Sequence, residues 1–272
     1  MNKITTEAAV LQFIREKNLS NSIVCLHSSL KSFGPIENGP HTIIDAFIKE
    51  GCTLVCPAFF YESRTFPPRE NYSTNGIDYS KIDQMVSVSF NDDRNQIEPS
   101  MGIIPKTILS YGDAERTSNP GNSFVMIGEQ AKALLENQSL LNAYSVYKNI
   151  HSGHTKAFIV LAGVNFTSCT PIHYAEELAG RTLFRRWAVY NHRIVEIEEG
   201  SCSDGFENLR EYTRETENVG SIGQSAIRIY PFTPFIEKVV KTIEENPMVT
   251  HCDDANCDRC KDMANGGRSL PV

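Results

Sequence analysis

The stretch Thr170-Pro171-Ile172-His173-Tyr174-Ala175-Glu176-Glu177 gathers residues able to move protons at a spacing that can bring them together. Thr170 suits a helix N-cap and Pro171 the first helical position, so His173 falls in the first turn. The positive end of the helix dipole opposes another positive charge there, which suits the uncharged imidazole that a general base needs. Glu176 follows three residues later, on a neighbouring part of the same helical face, and can orient the ring. The same spacing also describes a partly buried histidine beside two surface glutamates, Glu176 and Glu177.

A second group is Leu26-His27-Ser28-Ser29-Leu30-Lys31-Ser32-Phe33-Gly34, directly after an apolar run. Small hydroxyl residues at the end of a strand let backbone N–H groups approach an anion or cofactor closely. The glycine pattern of a phosphate loop is missing, as is the Gly-x-Ser-x-Gly corner of a serine hydrolase. A third group, Met101-Gly102 and then Arg116 to Phe124, supplies turn residues and hydroxyls without a titratable pair. Near the C-terminus, His251-Cys252 is followed by Cys257 and Cys260, the ligand types zinc prefers. The expectation is a structural zinc held by His251, Cys252, Cys257 and Cys260, with a free-thiol tail as the other reading. Cys25, Cys52, Cys56 and Cys169 lie within or beside apolar runs and behave there as small hydrophobes.

The elements that must position these residues follow from periodicity and punctuation. Residues 1–19 predict an amphipathic helix and 23–26 a short strand; Gly34 and Pro35 break the chain. A helix over 42–50, ended by Gly51, leads to a strand over 53–57, the pattern of a parallel pair joined by a crossover and hence of an α/β core. Residues 61–99 are polar and irregular, a long insertion that reads as a substrate-side flap or as disorder. Helices are expected over 103–111, 128–136 and 233–245, a buried strand over 157–164, and a strand or hairpin over 187–198. The chain divides into a main domain, 1–247, and a Cys/His-rich tail, 248–272.

Charge and hydropathy exclude several classes. A net charge of −7, with Arg181, Arg185 and Arg186 the sole basic cluster, argues against nucleic acid, which needs clustered cations to displace phosphate counterions. No apolar run is long enough to span a membrane, and the N-terminus lacks the apolar stretch of a signal peptide, so the expected location is cytoplasmic.

Taken in order, LHSSLKSFG, PSMG, RTSNPGNSFVMIG, LAGVNFTSCTPIHYAEE and VGSIGQSAIRIY resemble the successive signatures of the aminoglycoside 3-N-acetyltransferases, over roughly residues 20 to 240. The resemblance implies an α/β fold with a central mixed sheet flanked by helices, distinct from that of the GNAT acetyltransferases. It implies acetyl-CoA as the acyl donor and an aminoglycoside or similar amine as acceptor, with the amine attacking directly. His173 matches the family's catalytic histidine and Glu176 the acid of its His-x-Ala-Glu signature. Ser28, Ser29, Leu30, Met101, Gly102, Ser118, Ser123 and Phe124 match motifs that border the CoA cleft, and backbone donors near the serine turn or at Thr170 are candidates to hold the developing oxyanion.

This chain departs from the family pattern on the acceptor side. Thr167 stands where an aspartate is usual, Pro171 follows the motif threonine, and Ala143 to Tyr147 replace a Gly-Ser-Pro-Leu-Gly stretch. A nucleotide-linked amino sugar is therefore an alternative acceptor, for which Arg181, Arg185 and Arg186 would supply positive charge. Metal-dependent hydrolysis would need a His/Asp cluster that the spacing outside the tail does not offer. A non-catalytic, zinc-stabilised binding protein is the remaining alternative, and a homo-oligomer is compatible with any of these readings.

Overall fold

A computed structural model describes residues 4–265, apart from 69–72, 75, 92, 94, 154 and 155. In chain order, helix α1 (Glu7–Glu16) leads to strand β1 (Ile23–Ser28), helix α2 (Pro40–Lys49) and β2 (Thr53–Pro57). Two short strands, β3 (Ser73–Thr74) and β4 (Ile77–Asp78), lie in the long insertion, followed by α3 (Ile103–Ile108), β5 (Glu115–Arg116) and β6 (Phe124–Ile127). Next come α4 (Ser145–Ser152), β7 (Ala157–Ala162), α5 (Pro171–Leu178), β8 (Phe184–Tyr190) and β9 (Arg193–Glu199). The remaining elements are α6 (Arg210–Thr213), β10 (Asn218–Ile222), β11 (Ser225–Pro231), α7 (Phe232–Glu245) and α8 (Asp258–Ala264).

The main sheet runs β10-β11-β7-β1-β2-β6-β5. Its centre is parallel, with Ile23 opposite Thr53 on one side and Ala157 on the other, and the outer strands are antiparallel. This is the mixed sheet expected from the resemblance. Strands β1, β2 and β7 read as unbroken apolar runs because both of their faces are covered. Successive residues point to opposite faces: Ile23, Cys25, Ile159 and Leu161 enter one core, while Val24, Leu26, Val160 and Ala162 enter the other. Helices α4, α5 and α7 pack on the first face through Tyr147, Ile172 and Phe235, and α1, α2 and α3 on the second through Phe13, Phe47 and Ile104. His173 is thereby carried on the first face.

Several expectations change. Residues 128–136 do not form a helix; only Ala133–Leu135 make a 3-10 turn. Gly128 sits at φ +119 and the Gln130 N–H is drawn 3.0 Å to Thr53 Oγ1, so β2 takes hold of the segment before a helical turn can close. Helix α3 stops at Ile108, and Tyr111 turns back to donate to Asp45 Oδ1 at 2.7 Å. The 187–198 region is a hairpin whose turn residues, Asn191 and His192, both have positive φ, as a tight two-residue turn requires. The described part of the insertion is not a free flap. Thr65 N–H donates to Trp187 O at 2.9 Å and Phe90 N–H to Val189 O at 2.8 Å, so the segment is laid along the edge of β8.

Residues 248–265 are packed on the body. Val249, Cys260 and Met263 are all buried. No helix of the described residues is long and apolar enough to cross a membrane.

Candidate active site

Strand β7, an interior strand, ends at Ala162, a 3-10 turn over Phe166–Ser168 follows, and Pro171 opens α5. The helix begins slightly earlier than expected. Thr170 already has helical dihedrals (φ −53°, ψ −32°) and its side chain makes no cap, because in that conformation the hydroxyl points away from the free N–H groups. Its own N–H donates to Ser168 O, and the His173 N–H donates to Thr170 O. The backbone donors at this helix start are thus already engaged, and Thr170 loses its expected role beside an oxyanion.

His173 and Glu176 do meet. The ring's Nδ1 lies 2.9 Å from Glu176 Oε2. A carboxylate only accepts, so Nδ1 carries the proton and Nε2 keeps a lone pair. Among the described residues Nε2 has no hydrogen-bond partner, and the His173 side chain remains 11% exposed.

Glu176 is not a surface residue; its side chain is fully buried. A buried carboxylate needs compensation, and three donors supply it. Arg181 Nη1 reaches Oε1 at 2.7 Å, Ser201 Oγ reaches Oε2 at 3.1 Å, and His173 is the third. Arg181 is anchored in turn by Thr250 Oγ1 at 2.8 Å and by Pro247 O. Behind the ring, Tyr144 stacks at 6.1 Å between centroids and 15° between planes, and Phe206 meets it edge-on at 4.7 Å. Gly200 closes the box: a Cβ there would stand 2.5 Å from both His173 Cγ and Tyr144 Oη. Burial pushes the Tyr144 phenol well above its ordinary range, so it stays a neutral wall.

Carboxylates surround this box. Glu199 forms a two-point contact with Arg64, with Nε to Oε1 at 3.0 Å. Arg64 also lies 4.0 Å over the Tyr61 ring. Burial, reinforced by nearby Glu199, pushes the Tyr61 phenol up to about 12. Glu98 accepts from the Tyr61 N–H at 3.3 Å and directly precedes the Pro99–Met101 turn. Tyr144 feels Glu176, Glu198 and Glu199 together.

The structure sorts the expected cofactor residues. Ser28 and Gly102 are brought together from distant parts of the chain: Gly102, at φ +85, faces Ser28 O, at 3.7 Å from where a Cβ would sit. Ser28, Ser29 and Leu30 leave the carboxyl end of the central strand β1, with Met101 packed beside them against both cores. The Ser29 N–H is spent on Ala162 O at 2.9 Å, which leaves Leu30 and Lys31, at the start of a 3-10 turn, as the positions without an intrahelical acceptor. Ser118 is tied through N–H and hydroxyl to Gln138 Oε1, at 3.0 and 2.8 Å. Ser123 and Phe124 are corrected: both are fully buried. Ser123 donates to Ala58 O inside the fold, and Phe124 supports Tyr144 and Tyr147 edge-on, so neither side chain is available to a cofactor.

Two further expectations are revised. Arg181, Arg185 and Arg186 do not form a surface patch. Arg181 and Arg186 are buried, and Arg185 lies 3.6 Å from Glu198. The Ala143–Tyr147 stretch does not line an open acceptor cleft. Tyr144 and Tyr147 are core residues, and the Ala143 N–H donates to Glu198 Oε2 at 3.0 Å. At the tail, Cys252, Cys257 and Cys260 do cluster, but their fourth neighbour is Cys202 rather than His251. The backbone turns the His251 ring onto the Cys252 carbonyl, 2.8 Å from Nδ1, which takes it out of the group.

Sequence reasoning did not find Tyr144, Gly200, Ser201, Phe206 or Cys202. Tyr144 lay in a stretch that read as a lost motif, and the other four lie in the single segment that follows β9.

The fold is a three-layer mixed α/β sheet with a buried His–Glu pair carried on the helix that follows β7, and the chain belongs to a known family. The family model described as aminoglycoside 3-N-acetyltransferase matches residues 25–244. The aminoglycoside N(3)-acetyltransferase III of Serratia marcescens is 26% identical over 159 residues, 58% of each chain, so this chain spans under two thirds of that relative's length. A prophage-derived aminoglycoside N(3')-acetyltransferase-like protein, YokD of Bacillus subtilis, is 25% identical over 89% of this chain and 93% of its own. Among solved structures, the apoenzyme of aminoglycoside acetyltransferase AAC(3)-IVa superposes with a TM-score of 0.75 at 20% identity, covering 97% of this chain and 98% of that one. AAC-IIIb, solved as a binary complex with CoASH, superposes with a TM-score of 0.74 at 19% identity over 89% and 97%.

Proposed function

We propose that this chain moves an acetyl group from acetyl-CoA to an amine of an aminoglycoside or related amino sugar, with His173 as the general base. The observation that carries the reading is the His173–Glu176 contact of 2.9 Å, which fixes the ring with Nε2 unpartnered while every other side of it is walled.

The chemistry follows from that tautomer. An amine that arrives as ammonium must lose a proton before its lone pair can attack a thioester. Nε2 of His173 takes one proton, the new C–N bond forms, the C–S bond breaks, and the CoA sulfur leaves with the electron pair and takes that proton from the imidazolium, which restores the base. The second amine proton leaves to solvent. Glu176 stabilises the imidazolium as it forms and keeps the ring from turning. Its own charge is balanced by Arg181, so it does not capture the proton itself.

The donor is assigned to the carboxyl end of β1, where Ser28, Ser29 and Leu30 meet Gly102; crevices beyond the carboxyl ends of central parallel strands are the general ligand position of open α/β sheets. AAC-IIIb binds CoASH, and a histidine-to-alanine variant of AAC(3)-IVa was crystallised with apramycin and with a gentamicin. A cationic acceptor suits a chain of net charge −7, with Glu98 held at the Tyr61 N–H beside the site. The nucleotide-linked sugar reading loses its support, since Arg181 and Arg186 are buried in the fold.

The test is release of free CoA thiol from acetyl-CoA in the presence of a panel of aminoglycosides, simple amino sugars and nucleotide-linked amino sugars. Turnover with the polyamines alone supports the reading. An enzyme that binds CoA but turns over only nucleotide-linked sugars overturns the acceptor, and absence of both CoA binding and turnover overturns the whole assignment.

A further inference from the structure

Four sulfur atoms converge beside the candidate active site, from two segments far apart in sequence. The Sγ atoms of Cys202, Cys252, Cys257 and Cys260 all lie within 4.8 Å of one another. All four are free thiols, with Cys252 and Cys260 at 3.5 Å between sulfurs. Around a tetrahedral zinc with Zn–S bonds of about 2.3 Å, neighbouring sulfurs stand about 3.8 Å apart, so the group needs only a slight contraction to hold the ion.

This is not ordinary packing of apolar thiols. Cys25, Cys52, Cys56 and Cys169 belong to the two hydrophobic cores, whereas the four clustered cysteines belong to neither. Cys202 and Cys260 are nevertheless buried. The Cys252 N–H points at Cys260 Sγ from 3.4 Å, the arrangement that stabilises a thiolate.

The position of the cluster gives it a second meaning. Cys202 follows directly on Gly200, which walls the His173 ring, and Ser201, which donates to Glu176 at 3.1 Å. From the other side, Thr250, two residues before Cys252, accepts from Arg181, the cation that holds Glu176. Both segments of the cluster therefore end on the same carboxylate.

We propose that Cys202, Cys252, Cys257 and Cys260 bind one structural zinc ion, and that this ion holds the Gly200–Ser201 segment and Thr250 against the His173–Glu176 pair. Each thiol gives its proton to solvent on binding, and the four-sulfur set leaves no position open for catalysis. The first part stands on the cluster alone; the second rests on the reading of His173 as base.

The experiment is elemental analysis of the full chain purified under reducing conditions, with thermal unfolding recorded alongside. Close to one zinc per chain is expected. Cys202→Ser and Cys257→Ser should each lose the metal and unfold at lower temperature, while His251→Ala keeps it. Because a cysteine variant can fail to fold, the wild-type chain is also stripped with chelator and reloaded with zinc, which should restore the unfolding midpoint, or with cobalt(II), which should give the visible spectrum of a tetrahedral tetrathiolate. For the second part, stripping should lower kcat and reloading should rescue it, with the affinity for CoA little changed. A reduced protein that neither contains nor takes up zinc, a Cys252–Cys260 disulfide in the purified chain, or metal retention in Cys202→Ser overturns the site. A stripped protein with full kcat overturns only the link to His173. Metal content and unfolding are read without an acceptor, so they stand apart from the proposed reaction.

Discussion

Glu176 is bound by His173 at 2.9 Å through one oxygen and by Arg181 at 2.7 Å through the other, so a single buried carboxylate joins the candidate base to the C-terminal segment. The consequences of that relationship can be measured.

His173→Ala removes the group proposed to take the amine proton. General-base assistance is worth ~10²–10⁴-fold, so kcat should fall by about that factor while the unfolding midpoint changes little. Steady-state kinetics with a fixed amine, beside circular dichroism, check both halves. Retention of more than a tenth of the wild-type kcat would falsify the assignment.

Arg181→Ala should be more damaging to the fold than to the ring itself. Both side chains are buried, and removing one partner of such a pair strands the other charge, at a cost of about 3–5 kcal/mol. Urea unfolding measures this. Replacing Glu176 with Gln leaves the buried Arg181 charge without its carboxylate and should cost stability in the same way, and it should also lower kcat by removing the carboxylate that supports the imidazolium.

Gly200→Ala tests the wall behind the ring. The added methyl would meet His173 Cγ and Tyr144 Oη at 2.5 Å, well inside contact distance. Overpacking of this kind costs about 1–3 kcal/mol, and here part of the relief must come from displacement of His173. The expected result is a loss of kcat of at least about tenfold, taking about 1.4 kcal/mol per tenfold change, with KM for acetyl-CoA near its wild-type value.

His27, in the middle of the sheet, predicts a pH dependence of stability. Burial pushes its imidazole down to about 3, and its Nε2 has no hydrogen-bond partner. The unfolded chain takes up a proton at this residue below about 6.5 that the folded chain refuses until about 3. Its contribution is therefore fully favourable above the unfolded value and declines as pH falls through that window, by roughly 1.4 kcal/mol per pH unit at most. Urea unfolding from pH 7 to pH 4 should show a steeper acid loss for wild type than for His27→Leu; parallel curves would count against it.

Much of this was legible in the chain. Continuous apolar runs at β1, β2 and β7 announced buried parallel strands, and the interval between Pro171, His173 and Glu176 placed a histidine and an acid on one helical face. The 128–136 segment was misleading because its local propensity is helical, while Gly128 and Thr53 impose a different path. Ser123 and Phe124 carried the family pattern but serve the core, which no local property of a serine or phenylalanine reveals.

The sequence by itself determined the family, the strand–helix alternation and the histidine, because these depend on residue type and on short, periodic spacing. Tertiary structure alone decided what surrounds His173. Tyr144, Arg181 and the segment from Gly200 to Phe206 converge on the His173–Glu176 pair from separate parts of the chain, and Cys202 joins cysteines fifty or more positions away. Glu176 could be read as an exposed residue until its three donors were seen to come from two further parts of the chain. The physical reason is that burial and charge compensation are properties of converging segments, whereas spacing along one helix fixes only which of its own residues share a face.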